Sequence, residues 1–162
     1  MKIVGIDPGK FGWWLLLDSE TGEATARQLK WSSDGILIWR DIPKADRVYI
    51  EKVHAIPKIM NASSAFSFGY SVGQIHAFTS ASATALVTPQ NWQRICLEGV
   101  DTALDPKERS IAGFARLNPS LREKKLNHNM TDAFHIANYG MLKAGIMRQD
   151  WQFANASEIW RR

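Results

Sequence analysis

Ile3-Val4-Gly5-Ile6-Asp7-Pro8-Gly9 and Val48-Tyr49-Ile50-Glu51 are the two stretches that decide the fold. Each is a short apolar run, rich in Val and Ile, that ends on an acid. A run of this length bounded by a turn signal such as Asp-Pro-Gly reads as a buried strand. Two such strands lying parallel as neighbours bring their carboxyl ends to about 5 Å from each other. That sheet edge is where open α/β folds gather their sites.

Outward from the first strand, Gly12 to Leu17 is a second apolar run, Asp18 to Gly22 a turn, and Ala24 to Leu29 a third strand. Three strands joined by tight turns make an antiparallel meander. A short amphipathic helix over about Ser33 to Arg40 leads into the fourth strand, Val48 to Glu51. After a loop holding Pro57 and Lys58, a helix is expected from about Ala62 to Ala81. Its Gly69, Gly73 and Ala77 share one face and permit close approach of another backbone. Ala85-Leu86-Val87 is a fifth strand, and Asn91 to Leu97 one or two helical turns.

Asp105-Pro106-Lys107-Glu108 is a helix start, with Asp as cap, Pro at the first position and Glu three after the cap. That helix stops near Asn118-Pro119. Thr131 to Lys143 is the last well-marked helix, closed by Gly145. Residues 145–162, with Trp151, Phe153 and Trp160, form a tail or a final helix. The other tryptophans read as core and interface filling. The order describes an α/β chain with a mixed five-stranded sheet flanked by helices. No repeat or linker interrupts it, so one domain over residues 1–162 is expected.

The 45% hydrophobic and 22% charged content suits a soluble globular core. A single cysteine, Cys96, excludes an internal disulfide and fits a reducing compartment. The first apolar run is too short for a signal peptide and no stretch reaches transmembrane length, so a cytoplasmic protein is expected. Twenty Lys and Arg against sixteen Asp and Glu leave a net charge of +4, which suits a polyanionic partner and equally a solvated basic face. Arg116, Arg122, Lys124 and Lys125 gather around the Asn118-Pro119-Ser120 turn, and the chain ends in Arg161-Arg162.

Asp7 and Glu51 have a third companion candidate in Asp132, at the start of the last clear helix. Converging carboxylates repel each other, so they take up protons or collect a hard divalent cation. Three or four such ligands are the minimum for a phosphodiester site with two ions about 3.5–4 Å apart. Taken singly, each acid also fits a turn or helix-cap role. The nuclease reading requires all three to meet in space.

Gly5-Ile6-Asp7-Pro8-Gly9 followed by Gly12 resembles the opening of RuvC-type Holliday junction resolvases, within the ribonuclease H superfamily. Ile50-Glu51 resembles their second acidic motif, and Thr131-Asp132-Ala133-Phe134-His135-Ile136-Ala137 their final Asp-Ala-x-x-Ile-Ala helix. Phe68-Gly69-Tyr70, Thr88-Pro89-x-x-Trp92, Pro106-Lys107-Glu108 and Lys124-Lys125 through His128 look closer to the phage and plastid branches. The resemblance runs from residue 1 to about 142. It implies a ribonuclease-H-like fold, two Mg²⁺ or Mn²⁺ ions per site, a homodimer, and symmetric nicking of branched DNA that leaves 5′-phosphate ends. Such an enzyme acts in a bacterial cell, or in the host of a virus that encodes it.

Within that resemblance Asp7 would bridge both ions, and Glu51 and Asp132 would each hold one. The fourth ligand, three residues before the last acid, falls on Asn129; His128 beside it and His135 one turn beyond Asp132 are the other candidates. Each histidine also fits a packing or hydrogen-bonding role. Lys107 would steady the scissile phosphate or the attacking water, or simply face solvent. Lys44, Lys52, Lys58, Lys124 and Lys125 are candidate phosphate contacts. Phe66 and Phe68 would wedge between base pairs, or else fill a helix core.

Two rivals accompany this reading. One is another ribonuclease-H-like nuclease acting on different nucleic-acid structures, since a fold does not fix a substrate. The other is an inactive module that binds branched DNA. An actin-like ATPase needs a second Gly-rich phosphate hairpin for which the chain lacks length.

Overall fold

The computed structural model describes residues 1–38, 42–52, 61–79, 83–147 and 150–159. Its sheet is built from β1 (Lys2–Asp7), β2 (Trp13–Asp18), β3 (Glu23–Gln28), β4 (Arg47–Glu51), β5 (Ala83–Val87) and β6 (Gln152–Phe153). The spatial order is β5-β4-β1-β2-β3-β6. The first three strands form the expected antiparallel meander. β4 runs parallel to β1, and β5 parallel to β4. The expected five strands are joined by a sixth: β6 pairs with β3 through only Gln152 and Phe153, too short to show a period in sequence.

The helices are α1 (Ala62–Phe78), α2 (Pro89–Cys96), α3 (Pro106–Leu117), α4 (His128–Lys143) and α5 (Ala156–Ile159). α3 begins as its sequence dictates: the Asp105 carboxylate accepts from the backbone N–H groups of Lys107 and Glu108 at 2.8 and 3.2 Å. α4 starts three residues earlier than expected, capped by Asn127, whose side chain accepts from the Asn129 N–H.

Strand alternation sorts the core. Val4, Ile6, Val48 and Ile50 pack with Ile75 of α1 and with Leu29 and Leu37. Ile3 and Tyr49 face the other way and join Phe134, Ala137 and Met141 of α4, Trp92 of α2 and Phe114 of α3. The tail packs back onto this second layer through Trp151, 2% exposed. α4 is therefore the central helix, with ten of its sixteen residues buried, which is why its hydrophobic pattern is nearly continuous rather than amphipathic.

Two expectations are corrected. The described part of the anticipated helix over Ser33 to Arg40 is a turn closed by a Trp31–Leu37 bridge. Gly35 takes a positive φ of 74° there, and the Ser32 side chain accepts from the Ile36 N–H, so local turn chemistry defeats the helical pattern. Gln74 of α1 then ties the turn down, accepting from the Leu37 N–H and donating to the Gly35 carbonyl. The small-residue face of α1 is the second correction. Among the described residues nothing lies within 4 Å of a Cβ built at Gly69 or Gly73, and only Ile75 of that helix is buried. No described helix is long and apolar enough to cross a membrane.

Candidate active site

Asp7 and Glu51 each stand one residue past Ile6 and Ile50, the last pair of the β1–β4 ladder. They are therefore neighbours at the carboxyl edge. By alternation they face the same side as Ile3, Gly5 and Tyr49, which is the side covered by α4. Gly5 lets that helix come down onto the sheet: a Cβ there would overlap the Ala133 carbonyl oxygen and the Ala137 nitrogen. Asp132, adjacent to Ala133, is carried to the same edge.

Asp7 feels the charges of both other acids. Burial, then the charges of Glu51 and Asp132, hold the Asp7 carboxyl well above its usual range. Burial raises Asp132 to about 7, with a hydrogen bond from Ser110 opposing and the Glu51 charge adding. Burial also raises Glu51, against the indole N–H of Trp92, which donates to Oε1 at 2.8 Å. Among the described residues no Lys, Arg or His forms an ion pair with any of the three. Nor do any three described His, Cys, Asp or Glu side chains stand close enough to enclose an ion as they are. Carboxylates without a counter-charge repel one another. Half-buried oxygen donors without a protein counter-charge match the preference of Mg²⁺ or Mn²⁺ for oxygen ligands.

The other candidates separate. His128 and Lys107 meet where α3 and α4 begin. Partial burial and then the Lys107 charge lower the His128 imidazole, and Asp105 opposes them. Asn129 is drawn elsewhere, donating through Nδ2 to the Phe11 carbonyl in the β1–β2 turn at 3.1 Å. His135 is fully buried, with Nε2 2.9 Å from the Ser110 carbonyl. A carbonyl only accepts, so Nε2 carries the proton; burial lowers this imidazole to about 4. Its environment is that of a packed, neutral histidine behind the acids.

Lys44, Lys52, Lys107, Lys124 and Lys125 are exposed, and Lys58 lies outside the described residues. Phe68 is half-buried; its ring would lie 3.8 Å from a Cβ at Gly9, the turn that follows Asp7. Phe66 is 75% exposed and stacks on Tyr70, ring centres 6.3 Å apart. These two rings, with Lys10 and Trp31, line a groove of about 360 Å³.

Sequence reasoning named His135 and quoted Trp92 in a motif, but missed Ser110 and the contacts that join these groups behind the acids. Trp92 stacks on His135 at 5.7 Å with 7° between the planes. The Ser110 hydroxyl lies 2.7 Å from Thr131 Oγ1, which itself reaches the His128 carbonyl. With Thr131 donating to that carbonyl, the Ser110 hydroxyl donates to Thr131 Oγ1. The motif Thr88-Pro89-x-x-Trp92 was the one available signal, and it carries no partner information.

No family model matches the chain, and no curated protein does. Among solved structures it is similar to T. thermophilus RuvC in complex with a Holliday junction substrate, with a TM-score of 0.61 at 15% identity. A second Thermus thermophilus RuvC structure gives a TM-score of 0.55 at 18% identity. Both alignments cover 92% of this chain and 99% of the other. Near-complete mutual coverage with so little identity is agreement of architecture: the chain has the RuvC-like, ribonuclease-H-like α/β fold.

Proposed function

We propose that this protein is a divalent-metal-dependent DNA endonuclease that resolves four-way junctions. The observation that carries the reading is the gathering of Asp7, Glu51 and Asp132 toward one sheet edge, where the charges of Glu51 and Asp132 both raise the proton affinity of Asp7. It is supported by the shared fold with a RuvC solved on a Holliday junction, and by a net charge of +4 suited to a polyanion.

In this reading Asp7, Glu51 and Asp132 would hold the divalent ions. His128 takes the fourth position better than His135, whose Nε2 already serves Ser110. Mg²⁺ or Mn²⁺ bound there would lower the pKa of water and polarise the scissile phosphate. The protein's own residues fix the geometry. The backbones of Asp7 and Glu51 are held by strand pairing, Asp7 opposite Trp13 and Glu51 opposite Val87, and Asp132 stands on the buried helix α4. Lys107, exposed beside His128, steadies the phosphate. Lys52, Lys58, Lys124 and Lys125 contact the DNA backbone, and Phe66 and Phe68 meet bases at the branch. One domain acting as a homodimer would cut opposing strands of one junction.

The test compares the purified chain with Mg²⁺ on a labelled four-way junction, a linear duplex of the same sequence and an RNA–DNA hybrid. Paired nicks in opposing junction strands, with 5′-phosphate ends and little cutting of the others, are expected. Equal rates on all three substrates would overturn the resolvase reading.

A further inference from the structure

Trp92 is the first residue to single out among the groups behind the acids. It is 2% exposed, and its indole N–H ends 2.8 Å from Glu51 Oε1. The bond is not forced by burial alone. The indole nitrogens of Trp13, Trp14 and Trp31 are also buried and have no hydrogen-bond partner among the described residues, so burial does not by itself pair an indole with a described residue. Trp92 differs in being fixed on both sides. Its ring lies flat on His135, and His135 is tied through Nε2 to the Ser110 carbonyl. Gly113 leaves room for that contact, since a Cβ there would come within 3.2 Å of the His135 ring.

Glu51 needs such a holder more than the two aspartates do. A glutamate has one more torsion than an aspartate, and freezing its side chain costs up to about 2 kcal/mol. Its position at the very end of β4 leaves the carboxylate at the sheet edge, beyond the last rung it shares with β1. An indole is a donor only, so it supports the ionised form and occupies one oxygen. Among the described residues Oε2 carries no hydrogen bond and stays available to a cation.

We infer that Trp92 is a positioning residue: its N–H holds Glu51 Oε1 so that Oε2 is presented to a divalent ion, with His135 and Ser110 as the brace behind it. The inference rests on the metal-site reading above. Outer groups that orient a ligand typically govern metal affinity by roughly 10–100-fold.

Mn²⁺ binding to the full chain without DNA, followed by electron paramagnetic resonance, tests it beside thermal melting. Trp92→Phe keeps an aromatic face for His135 and removes the N–H. The folded variant should bind Mn²⁺ roughly tenfold or more weakly. In a Glu51→Ala background the same change should cost no further affinity. Should Trp92→Phe fail to fold, benzothienylalanine at position 92, which replaces the indole N–H by sulfur at nearly constant shape, carries the measurement. Wild-type affinity in a folded Trp92 variant overturns the inference, as does an equal loss with and without Glu51, which would mark a packing effect. A wild-type chain that binds no Mn²⁺ overturns both this inference and the metal-site reading, so the two failures are told apart.

Discussion

Gly5 of β1 and Ala137 of α4 meet backbone to backbone, with no room for a Cβ between strand and helix. Gly140, about one turn on, comes equally close to side chains, the Tyr49 ring and Ile3. This closeness seats α4 on the sheet and fixes the height of Asp132 above Asp7. Gly5→Ala must lift the helix or bend the strand, since the obstructing atoms are backbone. Overpacking of a tight core costs about 1–3 kcal/mol and sometimes more. A thermal melt should show the variant several degrees below wild type. Unchanged stability would mean that α4 is free to shift.

Asp7→Asn removes the acid on which both neighbours act. Under the proposed function it should abolish Mg²⁺-dependent nicking of a four-way junction. Junction binding should survive or tighten, because a buried negative charge beside the phosphate is gone. Gel-shift and cleavage assays on the same preparation separate the two. Cleavage retained by the purified variant would refute the site.

Much of this arrangement was legible because it follows local rules. Asp7 and Glu51 terminate apolar runs that read as strands, and parallel pairing of those runs makes them neighbours. The α3 start was written in its Asp105-Pro106 cap. What stayed hidden depends on tertiary context. β6 is two residues long and exists because Trp151 anchors the tail beneath β3. The 31–38 turn held its shape through Gln74, 37 residues away from Leu37. The same limit applies to Trp92 and Ser110, whose partners lie on other elements.

The pH dependence of stability follows from two opposed groups. Folded Asp132 holds its proton up to about 7 against an ordinary 3.8, so the folded state binds more protons across that window and stability falls as pH rises through it. His135 is lowered from 6.5 to about 4, so the unfolded chain binds more protons and stability is lost as pH falls from 6.5 toward 4. Asp7 and Glu51, both raised, act with Asp132. The metal-free protein should therefore melt higher near pH 5.5 than at pH 8. Asp132→Asn should recover roughly 2–4 kcal/mol at pH 8 and flatten the profile. A metal-free melting temperature that climbs from pH 5.5 to 8 would contradict the burial of these acids.

Divalent ions should reverse that trend. A ligand that binds only the folded state stabilises it by about 2.7 kcal/mol at a hundred times its dissociation constant. Binding requires ionised carboxylates, so the increment from Mg²⁺ or Mn²⁺ should be large at pH 8 and small at pH 5.5. Melts at both pH values, with and without Mn²⁺, give the four numbers needed. An increment that does not grow with pH would place the ion on groups other than these acids.

Phe66 offers a test of the proposed DNA surface that leaves the acids untouched. It is 75% exposed and stacked on Tyr70, so removing it exposes no core and should leave the melting temperature within a degree or two. An exposed aromatic pair is a platform on which an unstacked base can lie, a contact worth about 1–3 kcal/mol by alanine substitution. Phe66→Ala should weaken binding to a four-way junction roughly tenfold, with a smaller effect on linear duplex, where few bases are unstacked. Lys124→Ala, by contrast, should weaken binding to both DNAs alike and reduce the salt dependence, as a phosphate contact does. If Phe66→Ala bound the junction as tightly as wild type, the platform would belong to some other surface contact and the branch would be opened elsewhere.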